Sequence, residues 1–600
     1  MTSFTGISQY APSLVLLVGL AWLAGLWGLG RAILAISGFR LPSPWAGVTA
    51  VLLGIQAVSL AVQLLGMMEL SSHQALVAIW GFMTASGVMC LALAVRQVRL
   101  PWTASSTLFL SLLAVVAIAV TANLLVAVAP STKIDEIYYH MLVPSRIVTD
   151  GALHFYQAPW VAAIWPQMVY EISSAPLHAI GYPDAPNVVS WGLGVLLLGF
   201  AWRFVQLHGV PPALAAILLG ALCVGLYSTV WYGNGGAHAM GDLAMVTAIV
   251  SFVDRQHLVD TVGRVRFAGM ISLILVCAAT SKVSLLPICT VMVLLNAWLS
   301  LRDVSWRESV PVLLAFASPW ILFYLPIMVW SWVQSGSPFG PMMAGAFGPS
   351  VYDLEKIRAI LRHARDGFQP SLTDFLFSTG VNYSPLVWFG LLGIAVGVDL
   401  PRSMRIWLGA LFFLQCALIF FLLPHDVRFT GGMHLGILVV AVAFCGAGIR
   451  NRFENSRAVL TACTLCLVPW LAAQLYYARS FVPVALGLER GAFYQRLVAY
   501  FDDYVALDKL LPRDAVLLAV EGHTSAVYAP RPIFFHPLDL PVGKRPFYFR
   551  DAAYQSPVSL MGDVYRLGAL IYYNNESKAV VFRTGRYPRH IRLEIIELRK

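Results

Sequence analysis

The stretch Lys133-Ile134-Asp135-Glu136-Ile137-Tyr138-Tyr139-His140 sets two adjacent carboxylates, a lysine and a histidine directly after a long apolar run. Ionisable groups at such a boundary are costly to desolvate, so they are either solvated at a helix end or kept there for work. Similar residues recur at the edges of later apolar runs: His238 and Asp242, then Lys282, then His425, Asp426 and Arg428. Each alone reads as a helix-end group in water. Together they could form one site with a carboxylate base, a second carboxylate and cations suited to a phosphate.

Those residues need a scaffold, and the composition fixes its kind. Of 600 residues, 58% are hydrophobic and only 12% charged, and the mean hydropathy is +0.73. A globular chain is roughly a quarter charged, so too little polar surface remains to cover a water-facing body. A large soluble enzyme, a fibre and a disordered chain are excluded. About fourteen apolar runs of membrane-spanning length follow one another, including 212–231, 237–253, 385–398 and 432–447. With Arg31 as the first basic residue, no cleavable signal peptide is expected. All eight cysteines lie in apolar runs and read as free thiols, the Cys463-x-x-Cys466 pair serving helix packing.

Arginines set the expected orientation, because cytoplasmic loops retain positive charge. Arg31 and Arg40, Arg96 and Arg99, Arg203, Arg255 to Arg266, Arg302 and Arg307, Arg402 and Arg405, and Arg450 to Arg457 fall in alternate loops. They also account for the net charge of +10 without a basic stripe, so no nucleic-acid partner is expected. Four regions result: transmembrane helices over 1–130, an extracytoplasmic catalytic loop with amphipathic helices over 131–186, a transmembrane core over 187–477 with a second outer loop at 334–384, and a tail over 478–600. Short β-rich runs at 515–520, 532–535, 579–582 and 591–596 alternate in the tail with helical stretches at 495–511 and 563–573. The expected fold class is therefore an α-helical polytopic membrane protein of about fourteen transmembrane helices with a small C-terminal extracytoplasmic α/β domain. Arg146, Tyr156, Trp160, Trp165 and Tyr170 make the first outer loop a surface for the lipid headgroup boundary.

In chain order, Asp135-Glu136 with Tyr139-His140, Asp242 after a Gly-rich turn, Ser281-Lys282, Gly336-Ser337-Pro338-Phe339 and Arg428-Phe429 resemble the motifs of the GT-C glycosyltransferases. These are membrane enzymes that use polyprenyl-phosphate sugars, and the likeness is to the bacterial protein mannosyltransferase and aminoarabinose transferase relatives. Ser337 stands where the family motif has Asn. The resemblance runs from about Ser131 to the end of the chain. It implies transfer of a sugar from a polyprenyl-phosphate donor to a lipid-linked glycan, protein or lipid acceptor on the extracytoplasmic face.

In that reading Asp135 is the base, Glu136 or Asp242 orients it or holds a metal, and His140 belongs to the catalytic set. Tyr139, His238, Lys282 and Arg428 bind substrate, the last two cations around the phosphate. A divalent metal ion is a possible cofactor, with Glu136, Asp242 and His238 as its candidate ligands. Seven lysines among forty basic residues hint at a GC-rich bacterium, hence an inner membrane with the site facing the periplasm. Two alternatives stand beside it: a transporter or flippase of a lipid-linked saccharide, whose charges should lie near the bilayer midplane in broken helices, and a structural membrane partner.

The orientation makes a direct prediction. A cysteine placed within 543–545 should react with a membrane-impermeant thiol reagent applied outside; reaction only after the cytoplasmic side is opened would invert the topology.

Overall fold

The computed structural model describes residues 11–95, 107–133, 135–156, 168–302, 304–351, 354–355, 358, 362, 386–396, 399–422, 432–447, 450–451, 456–498, 500–519, 526–535, 539, 544–551, 580–583 and 593–597. Among them, ten helices are long and apolar enough to cross a membrane: Pro12–Ile36, Trp45–Met67, His73–Ala92, Phe109–Ala127, Ala185–Leu207, Arg264–Ser281, Val283–Leu301, Trp306–Ser335, Arg402–Phe421 and Arg457–Ala485. Their outer faces carry Leu17, Phe82, Leu294, Leu314, Phe413 and Phe421, each more than half exposed. In water such a surface would aggregate, whereas lipid is as apolar as the side chains themselves. The chain is a helical, multi-pass membrane protein.

Three of the fourteen runs differ from expectation, and a fourth, 385–398, is described only over Leu386–Val396. Run 212–231 divides into Pro212–Cys223 and Leu226–Tyr232 at Gly225, whose φ of 146° is closed to residues with a Cβ. The other two hold His238–Val253 (16 residues) and Met433–Ala443 (11). Eleven residues of helix reach about 16 Å, half of a hydrocarbon core. Such pieces persist at membrane depth only inside protein, where other groups satisfy their ends. Every residue of His238–Val253 except Val253 is buried, and all of Met433–Ala443 except Val442. Hydropathy counts apolar residues; it does not register where a helix stops.

Small residues and sparse polar pairs hold the helices together, as expected where burial in lipid gives no net drive. A Cβ on Gly30 would fall 1.8 Å from the Ala50 carbonyl oxygen, and one on Gly54 2.0 Å from that of Leu26, so backbones touch there. The Gln56 amide donates to Thr280 Oγ1 at 2.7 Å, the Trp45 indole to Ser251 Oγ at 2.9 Å and the Gln474 amide to Asn123 Oδ1 at 2.7 Å.

Beyond the last long helix lie Arg490–Leu497, Phe501–Leu510 and five strands: β1 (Ala515–Ala519), β2 (Ile533–Phe534), β3 (Arg545–Asp551), β4 (Val580–Arg583) and β5 (Leu593–Glu597). They form one mixed sheet in the order β2-β1-β3-β5-β4, with β1 parallel to β2 and β3, and β5 antiparallel to β3 and β4. Strand β3 begins at Arg545, in a segment expected to turn; its aromatic Phe547-Tyr548-Phe549 centre is strand-forming, and the charges flanking it hid that in the sequence. The helix expected over 563–573 lies outside the described residues.

The tail packs on the segment that begins at Ser131. Ile137, Met141 and Leu142 share a buried cluster with Tyr494, Tyr504, Leu517, Tyr528 and Ile533. Tyr528 donates its hydroxyl to the Ser131 carbonyl at 2.5 Å. The Arg146 guanidinium lies 4.0 Å from the Phe534 ring centroid and donates to the Ile533 carbonyl. Arg146 and Tyr170 are thus interior groups, 7% and 2% exposed, and the reading of these two as a lipid-facing surface is corrected. Trp160 and Trp165 lie outside the described residues.

Asp503 gives the tail a pH dependence. Burial, then the neighbouring Asp502, pushes its carboxyl up to about 7, and Oδ2 has no hydrogen-bond partner. A raised carboxyl disfavours folding once it must ionise, so its contribution to stability falls as pH rises from about 4 to 7. Asp503→Asn should therefore stabilise the protein at pH 8 by about 1–2 kcal/mol after solvent screening, and by nothing near pH 4. Thermal unfolding in detergent at the two pH values checks this; equal effects at both would contradict it.

Candidate active site

After the helix Thr107–Ala127 the chain enters a π-turn, Glu136–His140, and then the helix Leu142–Asp150. A π-turn adds one residue to the helical turn, and such bulges are frequent at functional sites. Here Glu136, Ile137 and His140 point inward, leaving Asp135, Tyr138 and Tyr139 only half-buried. The adjacent carboxylates therefore occupy different surroundings.

Glu136 is 2% exposed, which corrects any picture of it as facing water. Its Oε1 accepts the Ser131 hydroxyl at 2.7 Å and the Gly235 amide at 2.8 Å. Burial pushes its carboxyl up, opposed by the Lys133 charge, the Gly235 amide and the Ser131 hydroxyl. Burial likewise drives Lys133 down to about 7, opposed by Glu136, while its ammonium donates to the Val230 carbonyl. Ser131 is itself fixed: its amide donates to Asp184 Oδ1 at 3.0 Å, and Asn187 Nδ2 donates to its hydroxyl at 3.0 Å.

The partner segment Gly233 to Gly236 must be small. A Cβ on Gly235 would meet Asn187 Oδ1 at 2.8 Å; one on Gly236 would meet His140 Nε2 at 3.1 Å and His238 Cδ2 at 3.2 Å. His140 and His238 thus flank the turn, with ring centroids 6.2 Å apart. The Nδ1 of His140 is hydrogen-bonded to the Glu171 carboxylate, which is 1% exposed. Such a carboxylate fixes the tautomer and leaves Nε2 as the available nitrogen. Among the described residues, His140 Nε2, Glu171 Oε2, Asn187 Oδ1 and Asn234 Nδ2 are buried polar atoms with no hydrogen-bond partner. Buried groups of this kind are normally satisfied, so this cluster beside one turn calls for water or another polar partner.

Asp242 continues the site. It is fully buried in the first turns of His238–Val253 and accepts the Tyr232 hydroxyl at 2.9 Å. A Cβ on Gly432 would lie 2.9 Å from Asp242 Cα, and one on Gly241 2.5 Å from Ser281 Oγ, so the starts of two short helices and the end of Arg264–Ser281 meet there. Lys282, 8% exposed, interacts electrostatically with Asp242. The pair is forty residues apart in sequence and adjacent in space.

Asp135, Glu136, Tyr139, His140, His238, Asp242 and Lys282 therefore belong to one connected region. His425, Asp426 and Arg428 lie outside the described residues. No group of three or more His, Cys, Asp or Glu side chains among the described residues is placed to hold a metal, so Glu136, Asp242 and His238 do not converge as a ligand set. Ser337 makes contacts local to its own turn, its carbonyl accepting the Ser331 and Ser335 hydroxyls. Sequence reasoning missed Glu171, Ser131 and Tyr232. Glu171 was the findable one, a lone carboxylate between Tyr170 and Ile172 that no solvated face explains. A scan against models of known protein families finds no match, and a search of characterised proteins finds none either.

Glu136→Ala should destabilise the protein by about 3 kcal/mol or more, because it leaves the Ser131 hydroxyl and Gly235 amide buried without an acceptor and Lys133 without its counter-charge. Glu136→Gln, which keeps one acceptor oxygen, should lose less. Thermal unfolding of the two variants measures both, and an unchanged Glu136→Ala protein would remove Glu136 from its anchoring role.

Proposed function

We propose that this protein is a membrane glycosyltransferase that moves a sugar from a polyprenyl-phosphate carrier to an acceptor at the extracytoplasmic face. The observation that carries the reading is the single connected polar region, Asp135 to His140 on the glycine turn and Asp242 with Lys282 behind it, set among apolar helices. Seven residues chosen for this chemistry from three separate stretches belong to it. The finer topology goes with the proposal: about fourteen crossings including the short helices, the tail on the same outer side, and a bacterial inner membrane with the site facing the periplasm.

In the reaction, an acceptor hydroxyl or amide attacks the anomeric carbon. Asp135, the less buried carboxylate, takes the acceptor's proton as the new C–O or C–N bond forms. The bond from the anomeric carbon to the phosphate oxygen breaks, its electron pair leaving with the polyprenyl phosphate. That product carries more charge than the donor, so cations that strengthen their contact as charge builds favour the transition state. Lys282 supplies one, shared with Asp242, and Arg428 is the second in this reading. Glu136 holds the π-turn against the glycine turn, and His140, fixed by Glu171, orients the acceptor beside Gly236.

A second reading, carriage of a lipid-linked saccharide across the membrane, is favoured by one observation. The break at Gly225 and the short helix bearing buried Asp242 are features of transporter binding sites.

The test is sugar transfer by purified protein in lipid vesicles. Asp135→Asn should reduce turnover by about a hundred- to ten-thousand-fold with thermal stability unchanged. Lys282→Ala should also reduce turnover, with weaker carrier binding. Wild-type transfer by Asp135→Asn would dismiss it as the base.

A further inference from the structure

A second site, away from the outer loop, lies between the helices Leu386–Val396, Arg402–Leu422 and Met433–Ala443. They enclose a cavity of about 450 Å³, within the range of small-molecule sites. Its walls are apolar, with Ile394, Leu408, Phe412 and Ile437 among them, and two cations, Arg402 and Arg405, line it as well. Phe413, on the same wall, is 72% exposed, so the cavity adjoins the apolar outer surface rather than the protein centre.

Arg402 is exposed and Arg405 half-buried. Both arginines sit in the first turn of a 21-residue helix, where the exposed backbone amides already present positive potential, and that turn contains no acidic residue. Neither guanidinium has an ion-pair partner among the described residues. Arg405 makes one long hydrogen bond to the Ala395 carbonyl at 3.4 Å, and its Nε is buried without a partner. Asp399, the nearest carboxylate in sequence, is exposed and contributes its backbone amide to the Phe444 carbonyl. Two cations and a helix start at one end of an apolar cavity fit a molecule with one anionic head and a hydrocarbon chain.

We infer that this cavity binds an anionic phospholipid of the surrounding bilayer, its phosphate on Arg402 and Arg405 and an acyl chain along Ile394, Leu408 and Phe412. Charge complementarity selects this occupant over a zwitterionic lipid, whose own cation would face the two arginines. The site is independent of the reaction proposed for the outer loop.

The test uses the full chain, delipidated in detergent, with phosphatidylglycerol or phosphatidylcholine of identical acyl chains added back and bound lipid counted by native mass spectrometry. Phosphatidylglycerol should bind at one equivalent and raise the unfolding temperature, with phosphatidylcholine retained far less. Each arginine near a lipid surface is worth about fivefold in affinity, so the Arg402→Gln, Arg405→Gln double variant should weaken phosphatidylglycerol binding about twenty-five-fold. Should that variant fail to fold, Leu408→Trp fills the cavity while keeping both charges, and should also abolish the bound equivalent. Equal retention of the two lipids, or phosphatidylglycerol binding that survives the variant tested, would overturn the inference.

Discussion

One buried carboxylate ties three parts of this molecule together. Taking the Glu136 side chain out of water is affordable only because a hydroxyl and a backbone amide meet the same oxygen. Each donor is tied in turn to another part of the chain. Ser131 is held by Asp184, by Asn187 of the helix Ala185–Leu207 and, through its carbonyl, by Tyr528 of the tail. Gly235 belongs to the turn that leads into His238–Val253. A single buried carboxyl group thus joins the segment after Ser131, the helical core and the C-terminal sheet, and that junction sets where Asp135, His140 and Asp242 lie.

The same constraint explains the short helices. Polar backbone at the ends of an 11- or 16-residue helix cannot face lipid, and Met433–Ala443 and His238–Val253 stand buried among other helices. Their ends create an interior where a carboxylate such as Asp242 can be fully buried and still meet Tyr232 and Lys282. Long uninterrupted helices make the wall, and broken ones make the site.

Much of this was legible in the sequence, and the reasons for the rest are physical. Apolar runs of spanning length identify a membrane protein because the bilayer fixes how long a helix must be. Asp135, Glu136, Asp242 and Lys282 were visible because ionisable residues beside such runs need a reason to be there. Pairings across the fold were not visible: nothing local in sequence joins Lys282 to Asp242, or His140 to Glu171. Nor could composition separate Asp135 from Glu136. Their different surroundings come from a π-turn, one extra residue in a helical turn with no compositional mark. Gly225 looks like any glycine of an apolar run, yet its φ ends a helix there.

Transfer and transport predict different fates for the carrier, and that difference is the most direct test of the account. Purified protein would be reconstituted into vesicles with a polyprenyl-phosphate sugar and an extract containing acceptors, and the carrier followed by mass spectrometry. The account predicts cleavage of the sugar–phosphate bond, with free polyprenyl phosphate and glycosylated acceptor appearing in equal amounts. Intact carrier moved from one leaflet to the other, with no free polyprenyl phosphate formed, would contradict it.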